Sequence, residues 1–472
     1  MNEIHQEYQS SFSELETYAK RAIKYAAELG ATQAEVRIIN GFRRSLDIKN
    51  NSINGMQQQA NSYILARVFV GKQQGKAEGT MLTANSIDDI VKSAVNLSKF
   101  SPADEKFKSL ASPLDREVHS VKNLFDQNIA NLDPEIMVEF GKEIVSGAQE
   151  VHELVNTNAG ITLNVNDDLI HNSEGIFVTK QSSSLSAYSY VTIPLEPTNV
   201  GLGSEFNNTR HDAKSMNCHQ IGMEGANKAK SSLNAKTISS GTLPVLFDFR
   251  GAYNSLQSLI DVGVSAYNVM LKTSYFSDKL GESISVNNLT AWDDPLVDGG
   301  SSSRMYDSEG IPTQKINIVE NGILKAFVTD SYTSAVMDID NTGSANFYSG
   351  IKSYRPNICQ LQVNHGDISK DEMLSDMKEG LFVESGVSTS GGGSPNISSK
   401  VNRGFYVKDG EIQYPVKNTM LGSNVYEFLK NIVGISKELK FEFGHQTPSI
   451  LVNELSIASA GDSKAPVQSM GP

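Results

Sequence analysis

Two carboxylates, Asp307 and Glu309, stand just ahead of Gly310. In an extended segment alternate residues share a face, so the pair could act as acid and base or hold a cation. The plainer reading is turn chemistry, in which Asp and Ser side chains accept backbone N–H groups and Gly310 relieves a strained φ, and this is the favoured expectation. Cys218-His219, with Asp212 nearby, is the one local group with the composition of a nucleophile and its base. Adjacent helical residues diverge by about 100°, and a catalytic Cys and His are usually brought together by the fold from distant positions, so chance neighbourhood is the expectation. His445 follows the Gly444 turn and reads as a surface or hydrogen-bonded histidine, a metal ligand needing companions that the chain does not show. Among the eight histidines no two are three, four or five apart. The His-Glu dipeptide, His152-Glu153, is not followed by a second His. Ser385–Ser394 is glycine-rich but lacks the Gly-Lys-Ser/Thr ending and following helix of a phosphate loop. It is expected to be a flexible surface loop.

The elements that must position these residues are legible in part. Ser13 and Glu16 form a capping box for a helix that Gly30 ends. Strand-like runs follow at 34–39, 45–49 and 62–70, and Ser86 caps a second helix through Leu97, giving an α-β-β-β-α unit. Asp133-Pro134 is a cap followed by proline at the first helical position, opening a helix to about Glu150. Strands are expected at 161–165, 175–180 and 182–195, then a helix near 216–233. Beyond Gly241 short strands dominate, with helices near 251–269, 370–377 and 425–432. Two hairpins stand out. One runs from Gln314 into Ser334 around Asn321-Gly322, the other spans Gly404–Val416; Asn-Gly supplies the positive φ angles of a tight turn. The expected fold is α+β. N-terminal α/β segments at 13–100 and 133–240, joined by a connection at 101–132, precede a β-rich domain at 241–461 and a disordered tail at 462–472.

Composition narrows the function classes. A chain of 472 residues exceeds one compact core. No apolar run approaches the roughly 20 residues that span a bilayer, and the first residues carry neither the basic nor the apolar stretch of a secretion signal. Two cysteines do not make a disulfide framework in a chain this long, so a reducing cytoplasm is expected. With 41 basic and 54 acidic residues, the net charge of −13 disfavours direct binding of nucleic acid.

The Asp307–Tyr332 segment, the Gly404–Val416 hairpin and Arg67-Val68-Phe69-Val70-Gly71-Lys72-Gln73-Gln74-Gly75 together resemble the TldD/TldE (PmbA) family, from about Leu15 to Ala460. The resemblance implies a bacterial or archaeal protease of two paired subunits. The TldD subunit carries His-Glu-x-x-x-His on a helix and a C-terminal Cys that together hold zinc, with the Glu deprotonating a bound water. By register with the segment that follows, those ligands fall near Gln257, Val262 and Phe443, with Ser258 where the Glu would be. The pattern resembles the TldE/PmbA-type subunit. It implies no cofactor in this chain and zinc in a TldD-type partner. It also implies a heterodimer with that partner or a homodimer, and small or unfolded peptides as substrate, with no direct contact with nucleic acid or membrane. The family's older label, modulator of DNA gyrase, would then describe an indirect effect. Two other readings remain open: an independent hydrolase built on Asp307, Glu309 or Cys218, and a stand-alone homodimeric peptide-binding protein.

Overall fold

Strand β1 (Gln33–Lys49) organises the N-terminal half. The computed structural model describes residues 8, 9, 11–348, 353–390 and 393–459; the expected disordered tail lies outside the described residues. The two runs read at 34–39 and 45–49 are one strand, because β5 (Asn156–Asn172) pairs along it from Glu35↔Asn172 to Ile48↔Ala159. The polar stretch Asn40–Arg44 that hid this continuity is held in the extended state by that ladder. The other edge of β1 is shared between β2 (Ser52–Ala60), on its second half, and β3 (Tyr63–Val70), on its first. Strands β4 (Gln73–Gly79), β6 (Phe177–Glu196) and β7 (Asn199–Thr209) complete a seven-stranded antiparallel sheet in the order β4-β3-β1-β5-β6-β7, with β2 on β1. Both N-terminal segments therefore contribute to one sheet. Strand β2 escaped sequence reading because it is polar and exposed over most of its length.

Helices cover this sheet. Helices Phe12–Glu28 and Ala84–Ser98 bury Leu15, Ala19, Ile87 and Val91 against β1 and β3. The caps differ by a few residues from those expected. Ser11 precedes the first helix and gives its hydroxyl to Asp167, and Thr83 rather than Ser86 caps the second, accepting the Ser86 N–H. Helices Pro134–Val151 and Cys218–Ser231 pack on the other half of the sheet and on one another. Their contact is so close that a Cβ on Gly222 would fall on the Ile144 carbonyl oxygen, and one on Gly147 on the His219 carbonyl oxygen. Backbone atoms offer no rotamer to escape the clash.

The second unit is a twelve-stranded mixed sheet. Its central strand, His445–Ser459, pairs antiparallel with Gly241–Phe247, Ile432–Glu442 and Thr419–Asn424 and parallel with Leu361–Val363. Helix Phe249–Val264 packs on that strand, with Leu256, Leu259 and Ile260 in the core. The Asn321-Gly322 turn has the expected positive φ of 50° and 78°. Its second arm, however, is only Ile323–Leu324, after which Asp330 caps a helix at Ser331–Met337 that the hairpin reading missed. The Gly404–Lys408 and Glu411–Pro415 hairpin forms as read, around Asp409 and Gly410 at φ 49° and 80°.

Gly222→Ala is expected to lower stability by about 1–3 kcal/mol, the usual cost of overpacking, as read from the urea midpoint at constant m-value. A change within about 0.5 kcal/mol would show that the two helices are not held at this spacing.

Candidate functional site

The Asp307–Gly310 turn is buried at the seam between the two sheets. Asp307 accepts the N–H groups of Glu309 (2.8 Å), Ile311 (3.0 Å) and Ala345 (3.0 Å), while Lys180 of β6 donates to its carbonyl oxygen at 3.2 Å. Gly310, at φ +84°, lies against Ile176, so a side chain there would be strained and would also meet that neighbour. Asp307 thus does the work of a turn carboxylate. Glu309 does not. It is 2% exposed and accepts the Ser331 N–H at 2.8 Å. Burial, and then the nearby Asp330 charge, push its carboxyl up to about 8, against the opposing pull of Arg67. Arg67 stands 3.6 Å away, but its shorter contact is Glu35, its cross-strand neighbour, at 3.1 Å. Glu35 also accepts the Tyr354 hydroxyl at 2.8 Å, and the Arg67 guanidinium lies over the Tyr354 ring at 4.6 Å.

A second concave site faces the other part of the seam. Asp248 caps helix Phe249–Val264, accepting the Gly251 N–H at 2.7 Å. The helix carries Tyr253, Gln257 and Asp261 at intervals of four, hence along one face. Tyr253 meets His445, oxygen to Nε2, at 3.0 Å, with ring centroids 4.1 Å apart. Burial lowers the His445 imidazole to about 4, and burial and Asp293 raise the Tyr253 phenol. Both groups are therefore neutral, and the hydroxyl donates to Nε2. Phe443, at φ 53°, and Gly444 turn the chain into the strand that begins at His445. Phe206 of β7 packs edge-on against the Phe443 ring at 5.3 Å. Together with Phe249 and Thr447 they line a largely apolar cavity of about 240 Å³. Arg250 stands at its rim, bound by both oxygens of Glu442 (2.7 and 2.8 Å) and by Glu205 of β7 (2.6 Å), so the rim also joins the two units.

Residues 240–459 match the PmbA/TldA metallopeptidase C-terminal domain. The chain is 25% identical over 449 residues to the metalloprotease PmbA homolog of Haemophilus influenzae, covering 93% of this chain and 96% of that one. It is 23% identical over 451 residues to metalloprotease PmbA of Escherichia coli O157:H7, with the same coverages. Its fold matches the crystal structure of TldE from Thermococcus kodakarensis with a TM-score of 0.80 over 94% of this chain and 100% of that one, at 20% identity. The chain carries the C-terminal domain of the PmbA/TldD family.

In that family a metal is the expected reagent, and the residues here do not fit one. Val262 packs partly buried against the C-terminal core, and the Phe443 side chain carries no donor. Gln257 has an amide oxygen buried without a partner, a weak ligand standing alone. Among the described residues no group of three His, Cys, Asp or Glu side chains is placed to hold a metal ion.

The remaining sequence candidates disperse. Cys218 is buried in the core beneath the first sheet, and burial pushes its thiol up to about 12. Its neighbour His219 instead meets Glu150 at 3.0 Å on the surface. The expected loop at Ser385–Ser394 is tied down at its start, where the Val387 N–H donates to Ser255 at 3.0 Å; residues 391 and 392 lie outside the described residues. Glu35, Tyr253 and Tyr354 were not singled out in the sequence. Arg67 left a signal: it is a lone charge inside Tyr63–Val70, whose other residues are apolar, which predicts a buried ion pair.

Folded Glu309 keeps its proton to about 8, whereas an ordinary glutamate releases it near 4.5. The native state is therefore disfavoured progressively as pH rises through that window. Glu309→Gln, which retains the acceptor for Ser331, should stabilise the protein relative to wild type by more than about 1.4 kcal/mol at pH 8.5, the worth of one pH unit, and by much less at about pH 5. Thermal denaturation at both values checks this; destabilisation at the higher pH would mean an ionised Glu309 paired with Arg67.

Proposed function

We propose that this chain is the TldE-type subunit of a two-chain peptidase acting on small or unfolded peptides. A TldD-type partner supplies zinc and the catalytic carboxylate in trans. This chain shapes the chamber, restricts access to it and stabilises the catalytic subunit. The observation that carries the reading is the contrast at one place in the fold. The family resemblance implies that Gln257, Val262 and Phe443 take the places of metal ligands, and Phe443 lines an open cavity with Tyr253, His445, Phe206 and Phe249. Apolar walls with a few neutral hydrogen-bonding groups suit a peptide side chain. The metalloprotease names of the relatives agree with peptide chemistry. No helix among the described residues is long and apolar enough to cross a membrane.

The decisive experiment is co-expression with a TldD-type chain, followed by cleavage of an unstructured peptide. Activity should require both chains, vanish with a chelator and return with zinc. Chelator-resistant cleavage by this chain alone, or a stable homodimer that never takes up a TldD-type partner, would reject the subunit reading.

A further inference from the structure

The cavity of about 400 Å³ at the Arg67 end of the seam falls in the size range of small-molecule sites, roughly 300–1,000 Å³. Its walls combine β3 and β4 of the first sheet with Tyr267, Asp330, Tyr354 and Arg355 of the second unit. Cations and carboxylates both face it, Arg67, Lys76 and Arg355 with Asp104, Glu309 and Asp330. Lys76 has no hydrogen-bond or ion-pair partner among the described residues, and burial, with Arg67 and Arg355 nearby, lowers its ammonium to about 8. Among the described residues Arg355 bonds only neutral oxygens, those of Ser353, Tyr354 and Tyr267, and it stacks on the Tyr267 ring. Arg67 is 8% exposed, and its Nε is buried without an acceptor.

The carboxylates around it are largely engaged; Asp104 accepts the Lys106 N–H at 3.0 Å and bonds the Tyr332 hydroxyl. Glu35 serves Arg67 and Tyr354, and Glu309 is bound to the Ser331 N–H and holds its proton. Asp330 caps its helix through Oδ1, which takes both the Thr333 N–H (2.8 Å) and hydroxyl (2.6 Å), leaving Oδ2 without a hydrogen bond among the described residues. Among the described residues no carboxylate is thus bonded to Lys76 or Arg355, and Asp330 offers a carboxylate oxygen to the cavity. A multiply charged anion such as phosphate would meet Asp330. A zwitterion satisfies both ends.

We propose that this cavity binds a small zwitterion, a free amino acid or short peptide, with its carboxylate on Lys76 and Arg355 and its ammonium on Asp330. The site belongs to this chain alone and does not depend on any partner subunit.

Calorimetric titration of the purified chain tests it. Trialanine with free termini should bind saturably, one per chain. Amidating its carboxylate, acetylating its amine, or replacing Lys76→Gln or Asp330→Asn should each weaken binding about tenfold or more, as the loss of a charge-assisted hydrogen bond does. Asparagine still caps a helix, and an unchanged thermal midpoint would confirm that each variant is folded. Comparing alanine with trialanine separates amino acid from peptide as the preferred occupant. Absence of saturable binding for both up to about 10 mM, equal binding of the amidated peptide, or tighter binding of inorganic phosphate would overturn the proposal.

Discussion

A guanidinium buried between two sheets has to be answered by a carboxylate, and Arg67 imposes that constraint on the whole molecule. An uncompensated buried charge costs several kcal/mol. Glu35, beside it in the β1–β3 ladder, meets the requirement within the first sheet. Tyr354, bonded to Glu35 and stacked under Arg67, carries it across to the second unit. A parallel arrangement surrounds Asp168, held at about 2 chiefly by Arg37 and Lys180 against the cost of burial, with Lys180 reaching on to the Asp307 carbonyl. Hydrophobic contact alone permits sliding; these directional pairs do not. They set one docking of the two units, and both cavities exist only in that docking.

The cavities differ as their walls differ. Near Arg67 the wall is charged, and Glu35 is engaged there between Arg67 of the first sheet and Tyr354 of the second unit. Near His445 the charged groups pair on one another at the rim, Arg250 with Glu442 and Glu205, and leave an aromatic interior. One seam therefore produces a polar site and an apolar one, a division that suits a protein handling peptides, whose termini are charged and whose side chains are often not.

The sequence made some of this legible and concealed the rest for physical reasons. Helices with clear caps and apolar stripes, such as Pro134–Val151, and turns that need positive φ, such as Asn321-Gly322 and Asp409-Gly410, announce themselves locally. Strand β2 and the middle of β1 do not, because their extension is dictated by neighbours distant in sequence rather than by their own alternation. The candidate site divides the same way. The residue types at Gln257, Val262 and Phe443 could be read directly. The neutral Tyr253–His445 pair could not, since it joins residues 192 positions apart, and neither could the buried Glu309, whose carboxyl looks in sequence like the second half of an ordinary acidic turn.

The packing around Tyr253 and His445 is itself informative. Polar side chains without a structural role mostly face water. Instead a phenol is fitted to an imidazole that burial keeps uncharged, Phe443 is packed edge-on against Phe206 from the other sheet, and the neighbouring Asp261 and Asp293 are satisfied by the backbone N–H groups of Ile358, Cys359 and Gln360. A cavity walled by Phe206, Phe249 and Phe443, with a neutral Tyr253–His445 pair, is well suited to gripping an apolar side chain. On the proposed reading, this packing leaves a surface that suits an apolar peptide side chain.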